Sequence, residues 1–107
     1  MHDYRTIAQV ADVPTNGSKL VVLDGRELLV CNSRDAIHVV ENRCSHQDQP
    51  LDSGRVRNGY ILCPVHGMRF RLDSGEALGT LTRVPLCVFD SRVLDGEVQV
   101  RLDAPAS

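Results

Sequence analysis

No run in this chain approaches the ~20 apolar residues that a membrane helix needs, and no basic segment leads into an apolar one after Met1. These absences predict a protein that is neither embedded in a membrane nor exported, with the cytoplasm as its place. Positive charge is not in excess either. A net charge of −2 supplies no electrostatic footprint for phosphates, so nucleic acid is not an expected partner. There is no glycine fingerprint of a nucleotide site, and tryptophan is missing altogether. Histidine is limited to four residues, as is cysteine. At 107 residues the chain is the size of one domain, able to build a modest core without disulfides.

What is present reads as β structure. Asp24-Gly25, Asn58-Gly59 and Asp95-Gly96 each lie between apolar or alternating runs, the strongest short-range sign of a hairpin. The runs are 19–23, 27–31, 36–40, 60–63, 68–72, 84–89 and 97–102, most of them too short for a helix. In the last, Val98, Val100 and Leu102 alternate with Glu97, Gln99 and Arg101, the pattern of a half-buried strand. Around eight short strands predict an all-β, antiparallel sandwich or barrel. The single helical candidate is residues 8–14, one turn at most, stopped by Pro14.

Between Cys44 and Gly67 the sequence is CSHQDQPLDSGRVRNGYILCPVHG, a Cys-x-His limb, sixteen residues, and a Cys-x2-His limb. A structural zinc site more often draws two cysteines from one limb and two histidines from the other, so that each turn chelates with one kind of ligand. Two metal atoms suit mixed limbs better, because each limb can give its sulfur to one atom and its nitrogen to the other. A 2Fe-2S cluster with two histidines in place of two cysteines has that ligand set. Cys31 and Cys87, in apolar runs, read as reduced core thiols, and His38, alternating with Ile37 and Val39, reads as an outward surface residue.

On these motifs the chain resembles the Rieske family, and the likeness extends over nearly its whole length. The resemblance implies an antiparallel Rieske-fold β-sandwich, residues 1–107 as one domain, with a cluster-binding subdomain of two loops at about 42–80. It implies that Cys44 and Cys63 hold an inner iron of one 2Fe-2S cluster and His46 and His66 an outer one. Two neutral imidazoles in place of two thiolates raise the potential above that of an all-cysteine ferredoxin. The potential should then fall as pH rises through the imidazole pKa values. Pro50, Leu51, Pro64 and Val65 would give the cluster stiff, apolar cover, and Gly67 a close backbone approach.

High-potential Rieske proteins of respiratory complexes add a disulfide across the site, where this chain has Gln49 and Val65, and a serine where it has Met68. The sequence is therefore more similar to the Rieske ferredoxins of bacterial ring-hydroxylating dioxygenase systems, toward the low end of roughly −150 to +300 mV. Ser45 and Gln47 depart from the Thr and Gly common in those ferredoxins, at positions that are not ligands. VPLCVFDSRVLDGEVQV (84–100) resembles the same region of ferredoxins serving carbazole-type dioxygenases.

Once two histidines bind the cluster, only His2 and His38 remain, too few for the mononuclear iron of a Rieske oxygenase. The expected role is that of a carrier and not an enzyme: a monomer taking one electron at a time from a flavin-containing NAD(P)H reductase to a terminal Rieske oxygenase in aromatic compound degradation. Docking would use the His46 and His66 edge, with arginines such as Arg69 and Arg71 giving orientation. The alternatives are an electron-transfer subunit of another oxidoreductase and a zinc-stabilised binding module on the same four ligands.

Overall fold

A computed structural model describes residues 4–34, 36–43, 51, 54–63, 69–78 and 85–105, the last four by backbone alone. In chain order the strands are β1 (Arg5–Gln9), β2 (Gly17–Leu23), β3 (Arg26–Ser33), β4 (Ala36–Glu41), β5 (Arg55–Arg57), β6 (Tyr60–Leu62), β7 (Arg69–Arg71), β8 (Ala77–Leu78), β9 (Val88–Leu94) and β10 (Glu97–Pro105). A six-stranded sheet runs β1-β10-β9-β4-β3-β2 and a four-stranded sheet runs β5-β6-β7-β8, all pairings being antiparallel.

All three Asx-Gly turns form. Each puts two residues at positive φ, 52° and 78° at Asp24-Gly25, 50° and 84° at Asn58-Gly59, 52° and 76° at Asp95-Gly96. These are type I′ turns, whose twist matches that of the strands they join, and Asn or Asp followed by Gly tolerates the left-handed backbone best. The closing pairs Leu23–Arg26, Arg57–Tyr60 and Leu94–Glu97 set the register of three hairpins.

Two elements differ from the sequence pattern. Ala8 and Gln9 are extended in β1, so the helical piece shrinks to a 3-10 turn at Val10–Asp12. The apolar run 84–89 enters a strand only at Val88, and that strand continues through Asp90, Ser91 and Arg92. Asp90 and Arg92 stay in the sheet because they have partners. The Tyr4 hydroxyl donates to Asp90 at 2.8 Å, Arg101 pairs with Asp90, and Arg92 lies over the Tyr4 ring at 4.0 Å and donates to Gln99 at 2.7 Å.

The hydrophobic residues fall into two cores. Inside the curl of the large sheet, Leu28, Val30, Val39, Phe89, Val98 and Val100 pack with Ala8 and Val13. Against the other face of β3, β4 and β9, the small sheet lays Val56, Ile61, Phe70 and Leu72 on Leu29, Cys31, Val40 and Val88. Each such side chain contributes ~1.5–3 kcal/mol on burial. β3 is buried on both faces, so LLVC reads as a continuous apolar run and not as an alternation.

The same double cover corrects the reading of His38. It pairs across from Cys31, so it points to the side of the second core and is half-buried rather than outward. Burial lowers its pKa below the usual 6.5, with Asp73 pulling the other way. The unfolded chain therefore takes up the proton first as pH falls below 6.5, and stability that is intact above that value is lost on acidification. Cys31 gives the opposite limb. Burial pushes its thiol from 9.0 up to about 12, so stability is lost as pH rises between those values. His38→Gln should flatten the acid side of a plot of urea midpoint against pH, and Cys31→Ala the alkaline side. Unaltered slopes would remove both groups from the account. Cys87 is free, half-buried and packed against the first core, not the second, so the two thiols lie on different sides of the large sheet.

Candidate metal centre

Of the four sequence-predicted ligands, Cys63 is among the described residues, whereas Cys44, His46 and His66 lie outside them, as do Gln49, Pro50, Pro64, Val65, Gly67 and Met68. Among the described residues no three His, Cys, Asp or Glu side chains gather as a metal group. The described residues do show how the two limbs are held at their ends.

β6 carries Ile61 into the second core and delivers Cys63 one residue beyond its end. That cysteine is 1% exposed and free of any disulfide, packed in the core with Leu51, Phe70 and Leu72. A sulfur donor there is shielded from water.

The first limb is closed by a residue that sequence reasoning missed. Asn42, just past β4, is 7% exposed, and its side-chain oxygen accepts the backbone N–H of Leu51 at 2.7 Å. Its amide nitrogen donates to the Glu27 carboxylate at 3.0 Å, while its own backbone N–H donates to the Glu27 carbonyl at 3.0 Å. One asparagine anchored to β3 thus holds Leu51 beside the end of β4. The available signal was positional: Asn42 continues the inward series His38, Val40 of β4, and a polar residue at such a place needs a buried partner.

The exit of that limb lies against the entry of the second. Gly54 donates its N–H to the Leu51 carbonyl at 2.8 Å, and a Cβ on Gly54 would stand 2.1 Å from the carbonyl oxygen of Leu62, the residue before Cys63. Only glycine admits that approach. A third anchor is Gly75, at φ +78°, which accepts the Leu86 N–H at 2.8 Å and donates to the Arg71 carbonyl at 2.8 Å. A Cβ there would come 2.3 Å from the Leu86 carbonyl oxygen, so Leu86 is held against the turn that follows β7.

Flanking residues that meet at Gly54 and Leu62, one sulfur and one nitrogen donor per limb in the sequence, and a buried thiol at that junction fit a binuclear group. Residues 3–90 match the family described as the Rieske 2Fe-2S domain. The chain belongs to the Rieske family. This Rieske protein is 34% identical to ferredoxin CarAc of Metapseudomonas resinovorans over 73 residues, 68% of each chain. It is 30% identical to the ferredoxin component of biphenyl 2,3-dioxygenase of Rhodococcus jostii (strain RHA1) over 88 residues, 81% of this chain and 82% of that one. In the solved complex of reduced oxygenase and oxidised ferredoxin in carbazole 1,9a-dioxygenase, one chain is 28% identical and superposes with a TM-score of 0.83, 92% of each chain being covered. The same domain matches apoptosis-inducing factor 3 of Mus musculus at 27% identity but spans only 12% of that protein.

The group that a Rieske ferredoxin carries is one 2Fe-2S cluster, which supplies a single electron at a time. Such a ferredoxin transfers electrons and does not itself transform a substrate.

Proposed function

We propose that Cys44, His46, Cys63 and His66 hold the cluster, the two cysteines on one iron and the two histidines on the other. The chain, a single domain of residues 1–107 with its cluster subdomain at about 42–80, passes electrons from a flavin-containing NAD(P)H reductase to a terminal Rieske oxygenase. The observation that supports this reading is the junction at Gly54 and Leu62, where the chain after Leu51 packs against the residue before a buried thiol, Cys63. Relatives named as ferredoxin components of biphenyl and carbazole dioxygenases support the oxygenase as acceptor. No helix among the described residues is long and apolar enough to cross a membrane. Action as a monomer in the cytoplasm is part of the same proposal.

Absorption and EPR spectra before and after dithionite test the ligand set. The expected result is a rhombic signal that appears on reduction, with two irons per chain and none after Cys63→Ala. A colourless, EPR-silent protein containing zinc would end the reading. Reconstitution tests the partners: omission of the ferredoxin from a mixture with reductase and oxygenase should abolish NADH-dependent product formation. Equal turnover without it would refute the carrier role.

A further inference from the structure

Alternation in the small sheet sends Val56, Ile61 and Phe70 into the second core, so the residues between them face out. The registers align them in two rows. Arg55, Leu62, Arg69 and Leu78 stand side by side across β5 to β8, and Arg57, Tyr60 and Arg71 across β5 to β7. The four arginines are exposed and frame Tyr60 and Leu62, ~7 Å apart along a strand and ~10 Å apart across two strand spacings.

Like charges at these spacings repel, and nothing in the core requires them. Asp73 pairs with Arg71 at 2.9 Å, and Glu76 lies near the same guanidinium. Arg69 rests over the Tyr60 ring at 5.8 Å. Among the described residues no carboxylate pairs with Arg55, Arg57 or Arg69. Among the described residues the unpaired charge is therefore centred on the row that contains Leu62, one residue from Cys63. It stands out on a chain whose net charge is −2. Arginine and tyrosine around an apolar centre are also the residues enriched where protein interfaces bury their core.

We propose that this outer face, Arg55, Arg57, Tyr60, Leu62 and Arg69, docks the acidic surface of a redox partner protein. Its Asp and Glu side chains would meet the three guanidinium groups and bring its own redox centre toward Cys63. The inference rests on the carrier reading above and extends it from the His edge to a sheet face with a defined charge.

The test uses the cluster-loaded chain, reduced with dithionite and freed of excess reductant. Stopped-flow mixing with anionic ferricyanide or cationic hexaammineruthenium(III) reads one-electron oxidation of the protein, with iron(III) or ruthenium(III) reduced to the divalent state. Ionic strength is raised from about 0.01 to about 1 M, over which the screening length falls from ~30 to ~3 Å. The ferricyanide rate should fall roughly tenfold or more, although the net charge predicts a rise, and the ruthenium rate should not fall. In Arg55→Gln/Arg57→Gln/Arg69→Gln the ferricyanide slope should change sign, while Arg92→Gln, an exposed arginine of the other sheet, leaves it as in the wild type. A glutamate decapeptide at matched ionic strength should slow the wild type and spare the triple variant.

A wild-type ferricyanide rate that rises with salt overturns the proposal whether or not the variant folds. An equal effect of Arg92→Gln, or no effect of the decapeptide, does so too. Retention of a DNA duplex by the same face would assign it to nucleic acid and overturn a protein partner. The reduced and oxidised spectra, taken on the same sample, show separately whether the carrier reading stands.

Discussion

Asn42→Ala is expected to release iron to a chelator roughly tenfold faster than the wild type, and to lower the urea midpoint of the loaded protein. The substitution leaves the buried Leu51 N–H without its acceptor, a cost of ~1–3 kcal/mol, and removes the donor facing Glu27, ~0.5–1.5 kcal/mol more. Those bonds tie both ends of the first limb to β3, so their loss is felt where that limb must stay closed. A factor of ten in rate corresponds to ~1.4 kcal/mol, within the same range.

Conservative variants separate closure from general destabilisation. Asn42→Asp keeps an acceptor for Leu51 but sets a carboxylate against that of Glu27, and adding Glu27→Gln restores a donor–acceptor pair. The double variant should therefore hold iron longer than Asn42→Asp alone. Its EPR g-values should also return toward those of the wild type, a readout that a loss of stability elsewhere would not move. Equal iron loss in the single and double variants, or wild-type retention in Asn42→Ala, would show that this asparagine does not close the limb.

The second large effect is at Gly54. A methyl group 2.1 Å from the Leu62 carbonyl oxygen cannot be accommodated by a side-chain movement, because the obstacle is backbone. Either residues 51 to 54 or the end of β6 must shift, and the latter carries Cys63. Gly54→Ala should cost about 3 kcal/mol or more and leave much of the protein without iron after expression. Gly25→Ala is the control. Gly25 has φ +78° with nothing within 4 Å of a Cβ, so its substitution meets only the left-handed backbone penalty, ~1 kcal/mol. Thermal midpoints and iron per chain measure both variants, and a Gly54→Ala protein as stable and as fully loaded as Gly25→Ala would be inconsistent with the close approach.

The contrast between these two glycines marks what could be read from the sequence. Asp24-Gly25, Asn58-Gly59 and Asp95-Gly96 announce their hairpins because the cause is local, two adjacent residues that tolerate positive φ. Gly54 sits in a similar small, polar context, yet its role depends on a strand eight residues later that passes within van der Waals contact. Asn42 and Glu27 meet only because β3 and β4 pair in one particular register, a fact that no window of either strand contains. His38 departs from its alternation pattern for a related reason. Alternation identifies two faces of a strand but not whether both are covered, and here a second sheet covers the face expected to meet water. β9 was cut short because its Asp90 and Arg92 are satisfied by Tyr4, Gln99 and Arg101, from the far ends of the chain. The paired Cys-His limbs belong to the local kind of signal. The geometry that holds their ends together does not.

β3 contributes Leu28 and Val30 to one core and Leu29 and Cys31 to the other. A shared strand of this kind couples the fates of the two sheets: neither core can open without exposing one face of it. Its central amides should exchange with deuterium only when the whole molecule unfolds, and removal of the cluster should accelerate exchange in β3 as much as in the small sheet. Molecules that have lost iron would then present a loosened large sheet as well as an empty site, and a protease could distinguish them from loaded ones at positions far from the metal.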